Sequence, residues 1–221
     1  MEHVAERTKG QVKSKGQGKA QTNTQGKTRR MIQIAMLAAV ATVLMLFEFP
    51  IPVAPSFYKA DFSEVPVLIG SFAMGPLAGA VIEMIKILLN LIINGTDTAF
   101  VGELANFLIG CALVIPAGLV YQRHKSKKSA MLGMGLGIIC LAVVCAFLNA
   151  YMLLPAYGKA FHMDTAVFIE MGRAINPAIN SLFRFCLLAV VPFNLIKGLA
   201  VSLVTLLLYK HISRLLKGTH A

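Results

Sequence analysis

Charge is scarce in this sequence. Only 14% of its 221 residues are charged, whereas a soluble domain carries about a quarter. With 57% hydrophobic residues and a mean hydropathy of +0.70, the composition excludes an ordinary soluble domain. It suits about six membrane spans of roughly 20 residues each. Cysteine is sparse too. Cys111, Cys140, Cys145 and Cys186 all lie in apolar runs, with no CxxC pair and no histidine at metal-ligand spacing. That excludes a recognisable zinc or dithiol motif, and the four read as small buried hydrophobes. No phosphate-binding G-x-x-x-x-G-K-[ST] loop occurs: Gly70 and Gly75 have the spacing, but Pro76 stands where the lysine is required. The chain is therefore not expected to hydrolyse ATP by itself. H-E-x-x-H, G-x-S-x-G and any informative Ser/His/Asp set are missing as well, so no enzyme is expected. His124, His162 and His211 read as solvated loop residues. The two halves lack the mutual similarity that inverted repeats give many secondary carriers. The first thirty residues are too polar for a secretory signal, and the first hydrophobic segment is expected to be a retained helix.

What is present is a strongly segmented chain. Residues 1–30 are rich in Lys, Arg, Gln, Gly and Thr and read as a disordered basic tail. From Met31 apolar runs follow: Met31–Phe47, Phe62–Met74, Leu77–Ile93, Val101–Tyr121, Met131–Pro155 and Leu187–Tyr209. They predict an all-α membrane protein, a six-helix domain over 31–215 with a short tail over 216–221. The longer connector Ala156–Arg184 has room for a short helix around Ala178–Phe185. The second run is too short to cross alone. At 1.5 Å per residue it reaches roughly 20 Å, against a hydrocarbon core of about 30 Å. The preceding loop must then dip into the protein, which is tolerated where it lines a cavity.

Lysine and arginine set the expected orientation. They crowd the N-terminus, the Arg123–Lys128 connector and the C-terminal end, whereas the opposite loops hold only Lys59, Lys159, Arg173 and Arg184. Both termini are thus expected in the cytoplasm, in a cell-membrane protein that spans several times. The basic runs read as topology signals and contacts for anionic lipid, not as a nucleic-acid surface.

Polar groups inside apolar segments are costly and ask for a reason. Glu83 and Lys86 share a helix face and can pair with each other. Glu103 and Asn106 open the fourth run near the outer face. Asn149, Asn194 and Lys197 fall at similar depth on two neighbouring helices, where they either bind a ligand rich in carbonyls, ring nitrogens and hydroxyls or bond between helices. The connector Glu48–Asp61 has three prolines in six residues, which favours an extended path. With Phe49, Phe57 and Tyr58 it makes either an aromatic lid over an outward-facing pocket or part of an interfacial aromatic belt. Ala35 and Ala39 on the first helix are small residues at i and i+4, which let another helix approach closely.

The motifs Phe49-Pro50-Ile51-Pro52, Asp61-Phe62-Ser63-Glu64-Val65-Pro66, Gly75-Pro76-Leu77-Ala78-Gly79 and Gly102-Glu103-Leu104-Ala105-Asn106-Phe107 follow one another in order. Leu148-Asn149-Ala150-Tyr151, Leu154-Pro155-Ala156-Tyr157 and Pro192-Phe193-Asn194-Leu195-Ile196-Lys197-Gly198 complete the series. Together they resemble the riboflavin-specific substrate-binding component of the energy-coupling factor (ECF) vitamin transporters. The resemblance runs from about Met31 to the C-terminus. It implies a six-helix bundle with riboflavin held near the outer surface under an extended first extracellular loop. It also implies a shared coupling module of one transmembrane protein and two ATPases, and no cofactor, since riboflavin is cargo. By this resemblance Asn149, Asn194 and Lys197 contact the ligand. Phe57, Tyr58, Lys59 and Ala60 correspond to the lid, and Ala35 and Ala39 to the docking face for the coupling protein. The basic tail and the long Ala156–Arg184 connector depart from the family pattern. Lys59 is an additional cation in the lid, which leaves riboflavin phosphate (FMN) open as an alternative ligand. Another vitamin such as thiamine or biotin, or a self-sufficient proton-coupled carrier using Glu83, Lys86 and Glu103, remain the competing readings.

Overall fold

The computed structural model describes residues 26–55, 58–96, 99–161 and 164–217. Helix α1 (Gly26–Leu46) starts five residues before Met31, so Lys27, Arg29 and Arg30 belong to its first turns. A two-stranded hairpin follows, β1 (Phe49–Pro50) against β2 (Lys59–Ala60), antiparallel with Phe49 opposite Ala60. Pro50, Pro52 and Pro55 lack the N–H that longer pairing needs, which keeps these strands short. Helix α2 (Glu64–Met74) is joined to α3 (Pro76–Asn94) through Gly75 alone. Gly75 has φ +100°, a backbone region that side chains with a Cβ rarely enter. Pro76 then starts α3, where its missing N–H costs nothing.

Helix α4 (Val101–Arg123) and α5 (Lys127–Leu148) form a tight antiparallel pair. Ser126 caps α5 by accepting the Ser129 N–H at 3.1 Å. The fifth span continues without a break through a π-helical turn, Asn149–Leu153, into α6 (Leu154–Phe161). The long connector is more helical than expected. It holds α7 (Thr165–Ile175), capped by Asp164, and α8 (Leu182–Phe185), capped by Ser181. A second π-helical turn, Cys186–Val190, joins α8 to α9 (Val191–Lys217). The last span therefore begins near Leu182, earlier than Leu187.

Five of these segments are long and apolar enough to cross a membrane, and α2 is the shorter sixth. On α5, Leu132, Leu136, Ile139, Val143 and Phe147 are all exposed. Recurring every three or four residues, they form an apolar outward stripe that suits lipid and not water. The core lies between α2, α4 and α5, around Leu68, Phe72, Leu113, Val114, Tyr121 and Met134. In it α4 and α5 approach to backbone contact: a Cβ on Gly133 would stand 2.7 Å from the Ala117 carbonyl oxygen, and one on Gly137 would collide with that of Leu113.

Candidate functional site

A cavity opens beneath the hairpin, between the start of α2, the first turns of α4, and the facing stretches of α5 and α9. Its volume is about 130 Å³. Ile109, Leu113, Leu141, Leu153, Phe193 and Val201 give it apolar walls, while Asn106, Asn149, Asn194 and Lys197 bring polar groups to it.

The two π-helical turns pack against each other beside this cavity. Such turns insert one residue per turn and redirect the side chains that follow. Asn149 opens the first, and Asn194 lies one helical turn after the second. Asn149 is 1% exposed and its Nδ2 donates to the Cys145 carbonyl at 3.0 Å. Its Oδ1 accepts the Tyr58 hydroxyl at 2.7 Å, which ties the hairpin to the bundle. The Asn194 Nδ2 donates to the Val190 carbonyl at 2.9 Å and to the Cys145 Sγ at 3.0 Å. Cys145 is buried as expected, yet it is also a shared acceptor: Asn149 Nδ2 lies 3.5 Å from the same sulfur. Its position one turn before Asn149 was the available signal.

Lys197, one turn beyond Asn194, meets Asp61 Oδ2 at 2.9 Å. Asp61 Oδ1 accepts the Ser63 N–H at 2.7 Å, so both carboxylate oxygens are engaged. Burial alone would raise the Asp61 pKa, but the ammonium groups of Lys197 and Lys86 and the Ser63 hydrogen bond outweigh it and hold the value at about 2. Behind Asp61 lies a second ionic group. Lys86, fully buried, reaches Glu64 Oε1 at 2.9 Å, Glu83 Oε1 at 2.7 Å and Ser63 Oγ at 3.1 Å. Glu83 and Lys86 do pair, but the pair extends to Glu64, 22 residues away from Lys86. Gly110 makes room for it on α4, since a Cβ there would stand 2.6 Å from Glu83 Oε1.

In the segment expected to form a lid, Tyr58 and Lys59 line the cavity, and Tyr58 packs on Phe193 with ring centroids 5.6 Å apart. Lys59 is paired with Glu48 across the hairpin. Ala60 is buried beside Ala54 and Phe193, where it seats the hairpin without lining the cavity. Phe57 lies outside the described residues. Glu103 does not line the cavity, though Asn106 does. Ala35 and Ala39 do not line it and are exposed on α1, on a face shared with Ile32, Met36, Val40 and Val43. The acids Asp61, Glu64 and Glu48 also line the cavity, and the sequence supplied no role for them.

Residues 29–209 match the family described as ECF transporter, substrate-specific component. The chain belongs to that family. Among its relatives, the riboflavin transporter RibU of Staphylococcus aureus (strain TCH60) is 36% identical over 90% of this chain and 98% of its own length. The riboflavin transporter FmnP of Bacillus subtilis (strain 168) is 33% identical over 83% of this chain and 91% of its own. A solved S component of a bacterial ECF transporter superposes with a TM-score of 0.68 at 34% identity, covering 87% of this chain and 99% of that one. This ECF component is accordingly a helical-bundle membrane protein and one part of a transporter, not an enzyme.

Proposed function

We propose that this chain captures riboflavin from outside the cell and presents it to an ECF coupling module for import. The observation that carries the reading is the convergence of Asn149, Asn194 and Lys197 on one cavity beneath the Tyr58–Ala60 lid, in a chain whose relatives are riboflavin transporters. The apolar wall of Leu113, Leu141, Leu153, Phe193 and Val201 suits a flat aromatic ring system. The amides offer both donors and acceptors to ring carbonyls, ring nitrogens and ribityl hydroxyls. An enclosed site with a few convergent polar groups in an apolar lining is the usual build of a small-molecule pocket.

In this reading the hairpin faces outward and both termini are cytoplasmic, as the lysine and arginine distribution favours. One transmembrane protein and two ATPases supply the energy. The exposed α1 face around Ala35 and Ala39 receives the transmembrane protein, because small side chains permit close helix approach. The test is the absorbance spectrum of detergent-purified protein, followed by riboflavin titration read from flavin fluorescence. Co-purified flavin, or saturable one-to-one quenching, is expected. A colourless protein that leaves flavin fluorescence unchanged would overturn the substrate and turn attention to other vitamins.

A further inference from the structure

Among the described residues, every ammonium in or directly behind the cavity lies on a carboxylate. Lys59 pairs with Glu48 at the mouth, Lys197 with Asp61 in the wall, and Lys86 with Glu64 and Glu83 behind it. The residues lining the cavity include three carboxylates, Glu48, Asp61 and Glu64, against two ammonium groups, Lys59 and Lys197. The site therefore has polar contacts in plenty but no surplus positive charge.

We propose, on top of the riboflavin reading, that Asp61 is a specificity-determining positioning residue: it fixes and neutralises Lys197, so that the cavity takes an uncharged flavin and disfavours its phosphate ester. The argument rests on what each ligand asks of Lys197. An ammonium has three donors, and one is committed to Asp61 Oδ2 at 2.9 Å. A neutral ligand can accept from another without disturbing the ion pair. A phosphate monoester brings a charge of about −1.5 to −2 at neutral pH. To be stabilised it must pull Lys197 or Lys59 from its partner, and a buried carboxylate stripped of its cation is strongly unfavourable. Left unpaired, the phosphate meets a lining whose ammonium groups are already committed to carboxylates. Both oxygens of Asp61 are engaged, one by Lys197 and one by the Ser63 N–H at the start of α2. The carboxylate is thus tethered through both oxygens, and moving aside for an incoming anion would cost both bonds.

The experiment is a pair of titrations, riboflavin and FMN, on the full-length protein in detergent at one fixed ionic strength. The wild type is expected to bind riboflavin at least tenfold more tightly. Asp61→Asn keeps the side-chain shape but uncovers the Lys197 charge, and should lower the FMN-to-riboflavin Kd ratio at least fivefold. Asp61→Glu should restore part of the preference. A purely structural role for Asp61 would weaken both ligands alike and leave the ratio unmoved. Should Asp61→Asn fail to fold, Glu48→Gln at the solvent-facing mouth should shift the ratio in the same direction by a smaller factor. Equal affinity of the wild type for both flavins, or a ratio unchanged in the variants that fold, would overturn the inference while leaving riboflavin capture intact. Failure to bind either flavin would take down both.

Discussion

The half of the bundle beneath the hairpin and the half around the α4–α5 turn are built on opposite principles. Away from the hairpin, helices meet through small residues and aromatic packing. Gly118 and Gly133 let neighbouring backbones close to contact, and the Phe72 ring lies 4.6 Å from that of Tyr121. Its few polar side chains turn to nearby backbone, as Gln122 does in donating to the Phe72 carbonyl at 2.8 Å. Beneath the hairpin the interior instead holds polar side chains that must be paired: Asn149, Asn194, Glu64, Glu83, Lys86, Asp61 and Lys197. The first half derives its stability from close packing. The second gives up packing for a cavity and is held by directional bonds. Close packing and the candidate binding cavity are thereby separated along the length of one bundle.

The comparison can be broken most severely on the polar side. Lys86→Met should destabilise the protein by about 3–5 kcal/mol, because it strands two buried carboxylates. Adding Glu64→Gln and Glu83→Gln should recover most of the loss. Thermal unfolding in detergent reads both, and an unshifted Lys86→Met melt would refute the pairing. On the packed side, Gly133→Val forces a side chain against the Ala117 carbonyl. It should cost about 1–3 kcal/mol, seen as a lower melting temperature with the flavin Kd little changed. A loss of binding larger than the loss of stability would show that the two halves are not separable. Asn194→Ala should do the reverse, weakening riboflavin about tenfold, or about 1.4 kcal/mol, with little change in melting. If both Asn194→Ala and Lys197→Ala left affinity intact, the site would have to be placed elsewhere.

The smallest effect expected is that of pH. Asp61 is lowered from 3.8 to about 2 in the folded protein. Its contribution to stability is therefore complete above about pH 4 and lost as pH falls towards 2. Between pH 8 and 5 the Asp61–Lys197 pair should leave stability flat. A sigmoidal change in that window, abolished by Asp61→Asn, would contradict the pairing.

The polar residues that the structure gathers at the candidate cavity were legible in the sequence wherever a polar group had no local excuse. An amide at 149 or 194 in an apolar run demands partners, and counting turns from the loops places both at the depth of Lys197. Depth is readable in this way, whereas the direction a side chain takes around the helix axis towards another helix is not. Hence the Asp61–Lys197 pair, between residues 136 apart, was invisible, although an acid set just before an apolar run was a fair candidate partner. Glu64 escaped for the same reason: its partner lies on another helix. The π-helical turns have no periodicity by which to announce themselves. Cys145 was read by its apolar character, and its sulfur's capacity to accept two amides went unused. The short α2 was legible from length alone, and the hairpin's extended path from its prolines. Helix α7 was not expected, though the Asp164 cap and the Arg173 near its end were signals for it.

The hydrogen bond from Tyr58 to Asn149 joins positions 91 residues apart and crosses from the hairpin to the bundle. Under the proposed function its consequence is kinetic. A ligand approaching Asn149 from the hairpin side meets a latch whose release is a first-order event, independent of how much ligand is waiting. Observed association should then rise with flavin concentration only until latch release becomes the slower step, and level off there. In Tyr58→Phe, which has no hydroxyl to hold the latch, stopped-flow traces should keep climbing past that plateau.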